Sequence, residues 1–525
     1  METYSYHIFY FPFKWELRGD EDKLFTEQID LERIPLNTHT FWERIQYEPD
    51  KKTSPMDVGN TQEKQELFGE LQYYFDFVHP VLYDQKGEEN PIIFHFERKE
   101  PKSGKVEYYI TVRDKDKETD KNYQLQVEAI NLNLYSTGVG ILSFYLANKK
   151  KSQSDEISVR DINQFGRRIM PPHSGEFVPD KRGMLAKSIV ITGLEGEAYR
   201  YQDFFEYKTD AQGNERGLTH TWEPAIFIDS LIKDLSPAMK VTPVIDDRML
   251  VNCWYGNKGL SAKIVDDKDF ASSDFWYQYV FVDNGNDTTC KNQQMKKELL
   301  EKSTYQRWQE YGTLYGVTRY SLVALTNEKA FSFIGMHMRT IYSRMFELII
   351  IQRASILRFS SEVTKVSCLS KGSRKQLAER ISSLYREYIR FVNQVYFRSV
   401  TAQDQGIEMY NMMMEQFLLP EKIKDLDDEI GELHQYATLL IDQKRNENGE
   451  WLNKLAACVI PATIMTGTIY LPAYSKPSGK VSTKVIFLVI VISPVLTIVK
   501  LYLITCPTTG VGFSTVLFGT TVVTF

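Results

Sequence analysis

The chain has 525 residues, of which 25% are charged, a net charge of -6 and a mean hydropathy of -0.35. That length holds two or three cores of ordinary domain size, and the mildly acidic balance argues against direct nucleic-acid binding. Five cysteines (Cys253, Cys290, Cys368, Cys458, Cys506) are scattered with no CxxC pair, which disfavours a zinc motif and points to a reducing compartment.

The opening residues lack a charged n-region followed by an apolar h-region, so the N-terminal bulk is expected to stay in the cytosol. Aromatic and β-branched residues over Tyr4–Phe11 predict a strand. Leu67, Leu71 and Phe75 fall on one face of a helix over Gln65–Val78. Strands are expected at Ile92–Phe96, Val106–Val112, Tyr123–Leu134 and Ile141–Leu146, the last two joined by a turn at Gly138-Val-Gly140. The middle third predicts helices at Ile157–Phe165 and Ala225–Leu235, and strands at Ser188–Ile191, Met249–Trp254 and Trp276–Val282. A helix at Lys296–Tyr311 precedes a largely apolar strand, Leu314–Leu325, interrupted by Arg319 and Tyr320. Long helices follow at Glu328–Val366 and Lys375–Leu419.

From Pro420 the pattern changes. Ile423, Leu426, Ile430, Leu433, Ala437 and Leu440 recur at steps of three and four, the seam of a helix that packs on neighbours or on copies of itself. The helix then turns apolar from Trp451 to Leu471, and after a polar connection a second apolar run covers Val485–Ile504. A bilayer-spanning helix needs about 20 such residues. The expected fold class is therefore an α+β or α/β cytosolic head, a long helical stalk and two transmembrane helices. Its boundaries would be 1–327 (split near 148–156), 328–450 and 451–504, with an apolar tail at 505–525. The lipid bilayer is an expected partner, and the location a multi-pass one in the inner (plasma) membrane.

Ile460-Pro-Ala-Thr-Ile-Met-Thr-Gly467 resembles the Ile-Pro-x-Thr-x-x-x-Gly that ends the pore helix of the CorA superfamily of divalent-cation transporters. That resemblance implies a homo-oligomeric ring, usually a pentamer, lined at Asn453, Ile460, Thr463, Gly467 and Tyr470, which share a helical face. Tyr470-Leu-Pro472 stands where the family carries Gly-Met-Asn, and the loop carries Lys476, Lys480 and Lys484; both count against Mg²⁺ selection. The chain more narrowly resembles the CorA-like proteins encoded beside type III CRISPR systems. That implies an antiviral membrane effector gated by a nucleotide second messenger, the conjugate of S-adenosylmethionine with AMP (SAM-AMP) or a related adenylate. The alternatives are a constitutive Mg²⁺ transporter and a membrane-tethered nucleotide hydrolase.

Candidate ligand residues follow from chemistry. Arg167 and Arg168, beside Gly166, offer two guanidinium forks for phosphate oxygens, and Arg182 can join them. Asp234, with Asp161 as a second choice, would meet an amine or sulfonium, and Tyr199, Tyr201 or Trp222 would stack on a purine. Arg319 in an apolar strand must be paired or face a cleft. Asp425, Asp428 and Glu432 on the stalk are weak candidates for Mg²⁺. No GxxxxGK[ST], GxSxG or HExxH is present, so neither catalysis nor a required cofactor is expected.

Overall fold

The computed structural model describes residues 2–20, 23–47, 69–113, 119–167, 186–195, 201–203, 224–246, 248–283, 288–329, 332–368 and 374–470. The chain divides into two units, Met1–Thr438 and Leu439–Phe525. Strands of the first unit are β1 (Ser5–Leu17), β2 (Trp42–Arg44), β3 (Ile93–Arg98), β4 (Glu107–Arg113), β5 (Asp120–Tyr135), β6 (Val139–Asn148), β7 (Ser188–Thr192), β8 (Tyr201–Asp203), β9 (Met239–Pro243), β10 (Leu250–Gly256), β11 (Thr304–Tyr305), β12 (Leu314–Val317) and β13 (Ser321–Thr326). The helices are α1 (Phe25–Gln28), α2 (His79–Leu82), α3 (Glu156–Gly166), α4 (Ile226–Leu235), α5 (Lys258–Asp266), α6 (Asp274–Phe281), α7 (Gln293–Ser303), α8 (Ser332–Arg339), α9 (Ile341–Ser367), α10 (Arg374–Gln394), α11 (Asp404–Gln416) and α12 (Leu419–Tyr470).

All thirteen strands join one mixed sheet, whose main path runs β11-β12-β13-β10-β1-β6-β5-β4-β7-β8. Among the described residues only the β10–β13 strand pair is parallel; the other paired strands are antiparallel. β1 shows why the sheet is covered on both sides. Its side chains alternate, with Phe9, Phe11, Phe13 and Trp15 in one core and Tyr6, Ile8 and Tyr10 in the other. The first core is closed by α3 to α7, the second by α8 to α12 as far as Ala437. Pro12, which ends the predicted strand, is tolerated within β1. It falls between the stretch paired to β10 (Ser5–Tyr10) and the stretch paired to β9 (Phe13–Leu17), where no ladder donor is required. Gly138 turns β5 into β6 at φ +77, and a Cβ there would lie 2.6 Å from Ile29 Cγ2.

Several expectations are corrected. Trp276–Val282 is helix α6, capped by Ser273, whose hydroxyl accepts from Trp276 N at 3.2 Å, and laced by the Tyr277–Phe281 stack one turn apart. Packing overrides the strand preference of this aromatic run. Leu314–Leu325 is the hairpin β12–β13, with Arg319 and Tyr320 as its turn. The helix expected at Lys296–Tyr311 stops at Ser303 and gives way to β11. The two long helical stretches each break in two, at Thr340 and between Gln394 and Asp404.

The membrane reading is also overturned. Among the described residues no helix is long and apolar enough to cross a membrane. α12 is continuous over 52 residues, but its apolar part begins at exposed Asn453 and Lys454 and is diluted by Pro461, Thr463, Thr466 and Thr468. Val485–Ile504 and the tail lie outside the described residues. The two-span CorA-like architecture therefore falls, and with it the ion channel and the multi-pass plasma-membrane location. The stalk seam has a nearer use. Ile423, Leu426, Ile430 and Ala437 are buried in the second core of their own chain, with Leu433 packed against it. Tyr385 of α10 stacks on His434, ring centroids 4.0 Å apart, and Tyr388 donates to Asp427 at 3.1 Å.

Candidate functional site

The hairpin turn between β12 and β13 places Tyr320 at the end of the sheet where both helical layers reach it. Two hydrogen bonds fix the turn: Tyr320 N donates to the Thr318 hydroxyl at 3.2 Å, and Tyr320 O accepts from Val251 N at 2.9 Å. Three guanidinium groups gather on the Tyr320 ring. Arg248, from the β9–β10 connection, lies 5.1 Å from the centroid, Arg167 at 5.7 Å and Arg319 at 5.9 Å. Arg167 caps the C-terminus of α3, is buried, donates through Nη2 to Val282 O at 3.4 Å, and accepts from Met249 N through its carbonyl. Asp246 grips Arg248 through both oxygens, at 3.0 and 2.6 Å.

A fourth arginine belongs with them. Arg353 stands on α9 in the apolar run Ile349–Ile356, and burial followed by the like charge of Arg319 lowers its guanidinium below its usual range. Its Nη1 is buried with no hydrogen-bond acceptor among the described residues. Cations do not converge without compensation: tyrosine's ring face supplies some through cation–π attraction, about 0.5–2 kcal/mol per contact, and Asp246 supplies more.

The other expected ligand residues are distributed differently. Arg168, Arg182, Tyr199 and Trp222 lie outside the described residues, as does the side chain of Tyr201. Asp234 is held within the fold. Its carboxylate accepts from Arg98 Nη1 at 2.8 Å, Thr40 Oγ1 at 3.1 Å and Phe41 N at 3.2 Å, a structural role between α4 and β3. Asp161 accepts from Tyr123 at 2.7 Å, and burial raises its carboxyl. Gly166 is helical; its smallness serves packing, since a Cβ would lie 2.8 Å from the Phe9 ring.

Compared with protein-family models, with curated proteins and with solved structures, the chain matches none. The site must be judged on its chemistry.

On the stalk, Asp425 pairs with Lys422 at 3.0 Å while Asp428 and Glu432 face solvent, and no described cluster of His, Cys, Asp and Glu is suited to a metal ion. Of the pore set, Asn453 is exposed, and the side chains of Ile460, Thr463, Gly467 and Tyr470 lie outside the described residues.

One constellation has the residue types of a nucleophilic centre. Cys253 Sγ lies 3.5 Å from His7 Nδ1, which also meets Asn163 Oδ1 at 2.7 Å. The electrostatics run the wrong way for thiolate chemistry. Burial pushes the thiol up to about 12 and the imidazole down to about 4, although the hydrogen bond with Asn163 pulls the latter back in part. A reactive cysteine needs the opposite of both shifts and an open approach; here all three residues are buried. The trio is a buried polar knot where α3 packs on β1 and β10.

Sequence reasoning singled out Arg167 and flagged Arg319 but missed Arg248 and Arg353. The signal for Arg353 was present in Leu348-Ile-Ile-Ile-Gln-Arg-Ala-Ser-Ile-Leu357, where a charge amid apolar residues requires a partner or a cleft.

Proposed function

We propose that this chain is a nucleotide-responsive binding protein, and that the arginines around Tyr320 receive the phosphate groups of its ligand. The observation that supports this reading is the convergence of Arg167, Arg248, Arg319 and Arg353 from four elements on one exposed turn. Guanidinium forks bind phosphate oxygens in pairs, and each charge-assisted hydrogen bond contributes about 1.5–3 kcal/mol. An adenylate-containing messenger of the SAM-AMP type fits that chemistry, and the sequence resemblance supports a role as an effector of type III CRISPR defence. The response follows from the placement. A ligand bridging Arg167 on one layer and Arg353 on the other binds most tightly to one arrangement of the two, and that difference in affinity is what shifts a conformational equilibrium.

The test is equilibrium binding of radiolabelled SAM-AMP to the full chain, with ATP and inorganic phosphate as competitors. Saturable retention that weakens about tenfold or more in Arg319→Ala, and weakens again with added salt, is the expected outcome. Retention unchanged in an Arg248→Ala/Arg319→Ala double variant would refute the assignment, as would no retention of any of the three.

A further inference from the structure

At the opposite end of β12 from Tyr320 lies a cavity of about 660 Å³, within the range of small-molecule sites. About half of its lining is aromatic or imidazole, and Arg307, Thr313, Gln403, Asp404 and Gln405 supply polar groups. Trp308 and Tyr311 meet at 5.9 Å between ring centroids, Phe333 and His337 at 5.5 Å, and Tyr315 and Tyr342 at 5.9 Å. Two of these rings, Tyr311 and Phe333, stand at the rim 62% and 50% exposed, an arrangement that leaves apolar surface in water unless something covers it.

Two of the polar groups in the lining stand ready for a ligand's edge. Thr313 lines it, is 1% exposed, and its Oγ1 has no hydrogen-bond partner among the described residues. His337 is held neutral by burial, which lowers it below its ordinary value, so its ring offers one donor and one acceptor. Trp308 is fixed upright by donating Nε1–H to Gln405 Oε1 at 3.0 Å. Arg307 lies 5.8 Å over the Trp308 ring, paired with Glu408 at 2.6 Å, so one face of the indole already meets a cation, while Asp404 adds a carboxylate to the lining.

We infer that this cavity binds a planar heteroaromatic compound of nucleoside class, its ring stacked among Trp308, Tyr311 and Phe333 and its edge hydrogen-bonded by Thr313 and His337. Aromatic side chains accept any such ring by its face, while Thr313 and His337 require that its edge be polar. The site stands apart from the arginine cluster: β12 has four residues, a separation of about 13 Å along the strand at about 3.3 Å per residue.

Titration calorimetry of the full chain with adenosine, guanosine, cytidine and uridine tests this. At least one nucleoside is expected to bind, about tenfold more weakly in Trp308→Ala and severalfold more weakly in Thr313→Val, with Arg319→Glu leaving its affinity unchanged. Tyr311→Ala, at an exposed rim position, serves if Trp308→Ala does not fold, and should cost at least threefold. Absence of heat with all four nucleosides up to millimolar concentration would overturn the inference, as would affinity unmoved by the Thr313 and aromatic variants, or preferential binding of choline. Loss of SAM-AMP retention with nucleoside binding intact would sink only the arginine site.

Discussion

Two groups of arginines sit under the same sheet and are handled oppositely. Arg98 and Arg358 are fully buried, and each is matched by carboxylates: Asp234 and Glu100 for the first, Glu16 and Glu362 for the second. Around Tyr320 three guanidinium groups share one ring, Arg248 is gripped by Asp246, and burial followed by the like charge of Arg319 lowers Arg353. The first group is balanced pair by pair within the fold, whereas the second sets cations beside one another. Substitutions in the first group should therefore damage stability, and substitutions in the second should damage binding.

The largest effect is expected at Asp234. Replacing it with alanine leaves Arg98 without one of its carboxylate partners at a position from which water is excluded, a change that typically costs about 3–5 kcal/mol. For a unit of this size that is a drop in melting temperature of roughly 3–5 °C. Calorimetric melting of Asp234→Ala checks it. A melting temperature within a degree of the parent would mean that Arg98 is balanced elsewhere and that the balanced group has been misread.

Next in size is the acid limb. Burial alone would raise the Glu16 carboxyl, but Arg358 at 2.7 Å and Lys365 at 3.1 Å overcome that and hold it at about 2, against an ordinary value of 4.5. A carboxyl whose pKa is depressed by folding contributes stability that is complete above its unfolded pKa and vanishes as pH falls through its folded one. The window is thus from about pH 4.5 down to about 2. Allowing for partial solvent screening, the contribution is roughly 2 kcal/mol. Melting temperature plotted against pH should fall through that window, and Glu16→Gln should lower the plateau at neutral pH while flattening the fall. Parallel curves for parent and variant would remove Glu16 from the balanced group.

How much of this was legible beforehand depends on whether the deciding contacts are local. The early strands could be read because alternation is a property of neighbours in sequence: Phe9, Phe11 and Phe13 against Ile8 and Tyr10 mark two faces without reference to anything else. The β12–β13 turn was missed because Arg319-Tyr320 has neither glycine nor asparagine to announce it. Helix α6 was missed because its aromatic residues favour a strand until Ser273 caps them and the core encloses them. The first membrane span was misjudged from length and apolar content, with too little weight given to the threonines and Pro461 inside that run. In the site, Arg167 was found beside its glycine, whereas Arg248 reaches Tyr320, and Arg353 comes near Arg319, from elements with no sequence link to them. The aromatic cavity was invisible for the same reason.

The smallest expected change in stability falls on the second group, and it separates the two most cleanly. Arg353→Met keeps the length and most of the apolar contact of the side chain on α9 while removing a cation that lies near Arg319 and has an unmet Nη1. With repulsion relieved and a desolvated charge gone, its melting temperature should equal or slightly exceed the parent's, a difference within about 0.5 kcal/mol. Affinity for SAM-AMP should meanwhile fall about tenfold, the loss of one charge-assisted contact. Stability and binding then move in opposite directions, as no residue in the balanced group allows. If Arg353→Met instead melts as far below the parent as Asp234→Ala does, with its affinity intact, the arginines around Tyr320 are ordinary structural pairs and the distinction between the two groups disappears.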